Sequence, residues 1–164
     1  MIGNRGYATF IRDWVRDEQK VQRIGGYSCP NSAPPGWKYI GQGCYRAAYL
    51  SPDGVVYKVQ NDGRYSYQSN AGEAKKYRTL YLTRRVPEGA RLPLLRNFVI
   101  EGADTVNAMD FVGPTLSKYD GPDYQKYSAV VRLLAWELRI GDMHHGNVAV
   151  DEKLGLVVPI DLGM

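Results

Sequence analysis

The stretch from Ile140 to Gly163 constrains this chain most. A polar loop, Ile140-Gly141-Asp142-Met143-His144-His145-Gly146-Asn147, separates a long apolar helical pattern from two short apolar runs. Those runs are Val148-Ala149-Val150 and Leu156-Val157-Val158-Pro159-Ile160, the second leading into Asp161-Leu162-Gly163. Read as strands folded back on each other in a hairpin, they bring Asp142, Asn147 and Asp161 to one mouth. Three oxygen-bearing side chains converging there are the ligand set of a hard cation such as Mg2+.

The 164 residues suffice for one domain with a core, though they are few for an enzyme with two full lobes. No apolar run approaches the ~20 residues of a membrane span. Arg5, Arg12, Asp13, Arg16, Asp17 and Glu18 interrupt the N-terminus, so it has no secretory core, and a cytoplasmic protein is expected. Cys29 and Cys44 are then expected to be reduced thiols, and neither has the partners of a zinc site. The net charge of +4 permits contact with phosphate-rich ligands. Lys and Arg are interspersed with acids, however, and no groove-reading motif points to nucleic acid.

Phe10, Ile11, Trp14, Val15, Val21 and Ile24 recur at helical spacing up to Gly25-Gly26, which predicts an amphipathic helix over residues 5 to 24, packed on its own domain. The proline-containing stretch from Ser28 to Gly36 reads as a linker. Trp37-Lys38-Tyr39-Ile40, Cys44 to Leu50 and Val55-Val56-Tyr57-Lys58-Val59 then predict three antiparallel strands. Gly41-Gln42-Gly43 lies at the first turn, where glycines let backbone N–H groups approach phosphate oxygens; a plain hairpin turn is the alternative. Asn70 is placed to cap a helix in which Ala71, Ala74, Tyr77, Leu80 and Tyr81 recur, with Glu73 in its first turn. Pro87 to Pro93 reads as irregular. Phe98 to Gly102 and Thr105 to Val112 predict a hairpin, and residues 123 to 139 a helix apolar nearly all round.

In this order the motifs resemble the protein-kinase superfamily. Ile40 to Tyr49, IGQGCYRAAY, is similar to the kinase Gly-rich loop, and Val55-Val56-Tyr57-Lys58 to the Val-Ala-Ile-Lys strand. Glu73 resembles the glutamate that pairs with that lysine, and Met109 to Leu116 resembles the hinge. Asp142 to Asn147 with Asp161-Leu162-Gly163 resembles the catalytic loop and the Asp-Phe-Gly motif; the Asp-Met-His-His-Gly-Asn wording is closest to small-molecule and atypical kinases. AAYLSPDGVVYKV after a Gly-rich loop resembles compact bacteriophage kinase-like proteins, which would place the chain in a host cytoplasm.

The resemblance implies an α+β fold: a kinase-like N-lobe over residues 37 to 112, with an antiparallel sheet and one packed helix, and a reduced helical C-lobe over 113 to 164 ending after Asp-Leu-Gly. Residues 1 to 36 form the helix and linker ahead of this minimal domain. It also implies an ATP- and Mg2+-dependent serine/threonine kinase with a protein substrate. Gly41 and Gly43 would cover the nucleotide, while Lys58, oriented by Glu73, would hold its α- and β-phosphates. Met109 would be the gatekeeper, and the C=O of Asp110 and N–H of Val112 would contact adenine. Asn147 and Asp161 would bind metal, and Asp142 would take the acceptor proton. His144 would touch the γ-phosphate or shape the loop by hydrogen bonds.

Several positions depart from the pattern. Arg46 replaces the third glycine, where it stiffens the loop and has the length to reach a phosphate, and Ala48 replaces a valine that covers the base. Ile140 and Gly141 replace the histidine and arginine that open the kinase loop, which speaks against activation-loop control. Helices that anchor the catalytic loop are not found after Gly163, so apolar surface on the 123 to 139 helix is expected to be covered by the N-terminal helix or by a second copy of the chain, each large group left in water forfeiting ~1.5 to 3 kcal/mol. The alternatives to a protein kinase are a non-catalytic nucleotide- or partner-binding module and a small-molecule kinase.

Overall fold

The computed structural model describes residues 2–23, 28–43, 45–61, 70–83, 85–141 and 143–161. Ile24, Gly25, Gly26, Cys44, residues 62–69, Asp142, Leu162 and Gly163 lie outside the described residues. The protein is α+β, with a five-stranded antiparallel sheet, a two-stranded sheet and three α-helices among the described residues. It divides into two compact units, Met1–Ala74 with Leu94–Phe111, and Lys75–Pro93 with Val112–Met164. None of its described helices is long and apolar enough to cross a membrane.

The first unit is built on strands β1 (Lys38–Gln42), β2 (Arg46–Leu50), β3 (Val55–Gln60), β4 (Leu95–Glu101) and β5 (Asp104–Asp110), in spatial order β1-β2-β3-β5-β4. The three strands expected from the sequence are present, and the β4–β5 hairpin joins the same sheet through β5. Its two-residue turn places Gly102 at φ 55°, the left-handed conformation that such turns demand.

Alternation along the strands gives this sheet two different faces. One carries Ala47, Tyr49, Tyr57, Val59, Phe98, Val106 and Ala108, all buried under helix α1 (Arg5–Val21), whose Ala8, Ile11 and Val15 complete a dry core. Trp37 extends that core, its ring 5.4 Å from Tyr7 and 5.5 Å from Tyr57. Asn4 caps α1, accepting from the Tyr7 N–H at 2.7 Å. Arg12 pairs with Asp104 at 2.8 Å, and Arg16 donates to the carbonyls of Gln60 and Asn61. The charges that interrupt the N-terminal sequence therefore fasten the helix, and its apolar stripe is used on its own unit's sheet.

The opposite face carries Lys58, Gln60, Thr105, Asn107 and Met109, also buried. Helix α2 (Asn70–Thr83) starts against this polar face. Its buried residues are Asn70, Glu73, Tyr77 and Leu80, whereas Ala71 and Tyr81 are exposed. The expected apolar set thus holds at Tyr77 and Leu80 and fails at Ala71 and Tyr81, while the polar Asn70 and Glu73 are buried beside it. Asn70 does not cap the helix: its Nδ2 donates to the carbonyls of Lys58 and Thr105, both at 2.8 Å, while its Oδ1 is buried with no partner.

The second unit contains helix α3 (Gly121–Leu138) and a hairpin of β6 (Val148–Asp151) and β7 (Leu156–Pro159). The 87–93 segment is irregular as expected, yet it is fixed to β7 by Arg91 N–H to Val157 C=O at 3.0 Å and Val157 N–H to Gly89 C=O at 2.9 Å. Arg91 also pairs with Asp151 at 3.2 Å, and the Tyr77 hydroxyl donates to Pro159 C=O at 3.0 Å. Helix α3 buries Val131, Leu134 and Leu138 but leaves Leu133 55% and Trp136 81% exposed, so the all-round apolar pattern does not correspond to all-round burial.

Candidate functional site

Lys58 sits in the middle of β3, opposite Ala48 on β2 and Asn107 on β5. Its Nζ lies 2.7 Å from Glu73 Oε1, and both side chains are buried. An ammonium on a flexible stem is thereby fixed in one place. The other carboxylate oxygen accepts from Asn107 Nδ2 at 2.9 Å, and the same amide donates to Asn70 C=O. Burial alone would raise the Glu73 carboxyl, but the charges of Lys58 and Arg46 and the hydrogen bonds from Lys58 and Asn107 outweigh it and hold it below its ordinary range. Arg46, the first residue of β2, places its guanidinium 3.7 Å from Glu73 Oε1.

Gly41 and Gln42 belong to β1, opposite Ala48 and Ala47, so the turn expected at Gly41 begins only at Gly43. Gly41 ends the irregular part of the β1–β2 register, and Gly43 N–H donates to Arg46 C=O at 2.9 Å. Neither glycine has a positive φ, and a Cβ added at either would meet nothing within 4 Å. Local folding therefore does not account for glycine at 41 and 43.

Met109 is buried in β5, facing Val56 and Leu95 across the sheet. Asp110 ends the strand; its N–H donates to Leu94 C=O, and its carboxylate accepts the Leu94 N–H at 2.7 Å. Val112 follows in irregular backbone, half-buried.

In the second unit the β6–β7 hairpin pairs Val148 with Pro159. Beyond that pair Asn147 C=O accepts the N–H groups of Ile160 at 2.9 Å and Asp161 at 3.4 Å. Asn147 and Asp161 thus reach one end of the hairpin together, as the spacing predicts. An amide oxygen and a carboxylate are hard donors that suit Mg2+. No group of three His, Cys, Asp or Glu side chains gathers among the described residues, which do not include Asp142.

His144 opens the 3-10 turn His145–Asn147, and its Nδ1 accepts the Gly146 N–H at 3.0 Å. That bond is a loop-shaping one, and it engages only one of the two ring nitrogens. The His145 ring packs edge-on against Tyr124 of α3, 2.9 Å from its hydroxyl to Nδ1, so it ties the loop to the helix.

Sequence reasoning missed Asn107 and the reach of Arg46 to Glu73. A signal was present, because Thr105, Asn107 and Met109 alternate with Val106 and Ala108 and so share a face in a buried strand. Cys29 is a free thiol inside the first unit, donating to Asn61 Oδ1 at 3.2 Å; burial pushes it up to about 11, so it is inert at neutral pH. No family model matches the chain, and no curated protein matches it.

Proposed function

We propose that this chain is an ATP- and Mg2+-dependent phosphotransferase with a protein-kinase-like fold, acting on serine or threonine hydroxyls of a protein. The observation that carries the reading is the buried Lys58–Glu73 pair, supported by Asn107 and preceded in the chain by Gly41 and Gly43, two glycines the fold does not require. Lys58 holds the α- and β-phosphates, and Glu73 restricts the lysine so that less entropy is lost when the nucleotide binds. The β5 end at Asp110 with Val112 offers backbone groups to adenine. Mg2+, when bound by Asn147 and Asp161, supplies charge neutralisation on the phosphate oxygens. Asp142 orients the acceptor hydroxyl and takes its proton as that oxygen bonds to the γ-phosphorus and the bond to the ADP leaving oxygen breaks.

Labelled ATP with Mg2+ tests this in the wild type beside Asp142→Asn and Asp161→Asn. Either change is expected to lower transfer by about 100-fold or more, the scale of a lost catalytic group. Nucleotide bound with no transfer by the wild type favours a non-catalytic binding module, and no nucleotide binding at all sinks both readings. Mass spectrometry of phosphosites after bacterial expression identifies the acceptor. Gly41→Ala and Gly43→Ala are expected to change melting stability by less than about 1 kcal/mol, since each removes only glycine's unfolded-state freedom. Each should nevertheless weaken ATP in a calorimetric titration.

A further inference from the structure

We propose that Arg46 is a second phosphate ligand, held beside Lys58 by the carboxylate the two share, and that it hands itself to the phosphate chain when an oligophosphate binds. The inference rests on the reading of Lys58 as a phosphate-holding residue. Alternation puts Arg46, Ala48 and Lys58 on one face of the sheet, with Ala48 directly opposite Lys58 and Arg46 opposite Gln60. The small alanine leaves the diagonal between the two cations unobstructed. Their head groups address one oxygen, Glu73 Oε1, at 2.7 Å for Lys58 and 3.7 Å for Arg46. The two nitrogens therefore stand no farther apart than these distances laid end to end, about 6.4 Å.

The two contacts differ in kind. Lys58 makes a hydrogen bond, whereas 3.7 Å is a charge contact beyond hydrogen-bond range. Removing the only partner of a buried carboxylate is costly, but Glu73 keeps Lys58 and Asn107 when Arg46 turns away. Of the two cations, Arg46 is thus the one whose departure leaves Glu73 hydrogen-bonded. Its guanidinium presents a fork of donors that matches phosphate oxygens in a bidentate way, which the Lys58 ammonium does not. Its own carbonyl closes the turn on the Gly43 N–H, so the residue that reaches the pair also borders the glycine loop.

The experiment is calorimetric titration of sodium tripolyphosphate, and separately of adenosine, into the full chain as wild type, Arg46→Gln and Arg46→Lys. Arg46→Gln is expected to weaken tripolyphosphate about tenfold, as for one charge-assisted hydrogen bond, with adenosine unchanged. Arg46→Lys should fall between the two, since it keeps the charge and loses the fork. Equal tripolyphosphate affinity in wild type and Arg46→Gln overturns the proposal, as does a parallel loss of adenosine, which marks a structural role. Should Arg46→Gln fail to fold, Arg46→Lys decides: weaker tripolyphosphate at unchanged adenosine supports the proposal, and unchanged tripolyphosphate overturns it. A wild type that binds no tripolyphosphate overturns it as well. A wild type that binds tripolyphosphate in an Arg46-dependent way yet transfers no phosphoryl group defeats the phosphotransferase reading and leaves this one standing.

Discussion

Replacing Glu73 with leucine is expected to destabilise the first unit by about 3–5 kcal/mol in urea denaturation, because it leaves the buried Lys58 ammonium without its carboxylate. The double variant Lys58→Met/Glu73→Leu should recover only part of that loss: the methionine side chain needs no counter-charge, but Arg46 and Asn107 still lose the acceptor that Glu73 gave them. The non-additivity of the cycle measures the pair itself. Acid separates the same variants. The folded-state carboxyl of Glu73 lies below its unfolded value near 4.5, so the stability it contributes is fully present above that value and is lost as pH falls through the lower folded value. Wild type should show this acid-sensitive component below about pH 4.5, and the double variant should lack it. A double variant as unstable as Glu73→Leu would mean that the site depends on the charges for more than mutual neutralisation.

Gly113→Ala carries the other large expected effect. Its φ of 153° is one that L side chains rarely adopt, and an added Cβ would lie 2.5 Å from the carbonyl oxygen of Val150 on β6. That atom is backbone, and the neighbouring Val150 N–H donates to Pro114 C=O at 3.0 Å, so the strand cannot yield without breaking a hydrogen bond. Strain and overpacking together should cost about 2–4 kcal/mol. Gly155→Ala is the comparison: its φ is 66°, but nothing stands within 4 Å, and about 1 kcal/mol is expected. Urea midpoints of the two variants check the ranking; equal shifts would show that the approach of β6 is looser than these distances imply.

The sequence made the strands and their hairpins legible, because apolar runs bounded by Ser51-Pro52-Asp53-Gly54 and Gly102 carry both the period and the turn chemistry. It also made the meeting of Asn147 with Asp161 legible, since hairpin register alone puts them together. In α2 the burial of Tyr77 and Leu80 was legible from spacing and that of Glu73 from its resemblance to a lysine-pairing glutamate, whereas Asn70 was not, because only its bonds to the carbonyls of Lys58 and Thr105 turn a polar amide inward. Trp136 and Leu133 were misread for the converse reason, because apolar character states what a side chain tolerates and not which elements reach it. The pairing of Arg46 with Glu73 joins the start of β2 to the first turn of α2, a contact that no linear motif encodes.

The uneven placement of the three indoles gives the protein a built-in optical readout. Trp14 packs against Tyr49 and Trp37 against Tyr57 in the first unit, while Trp136 on α3 faces water. Emission from the first two shifts to the red when that unit opens, whereas the third is solvated from the start. Intrinsic fluorescence therefore follows one half of the molecule, and backbone circular dichroism recorded in the same sample reveals whether the other half melts with it.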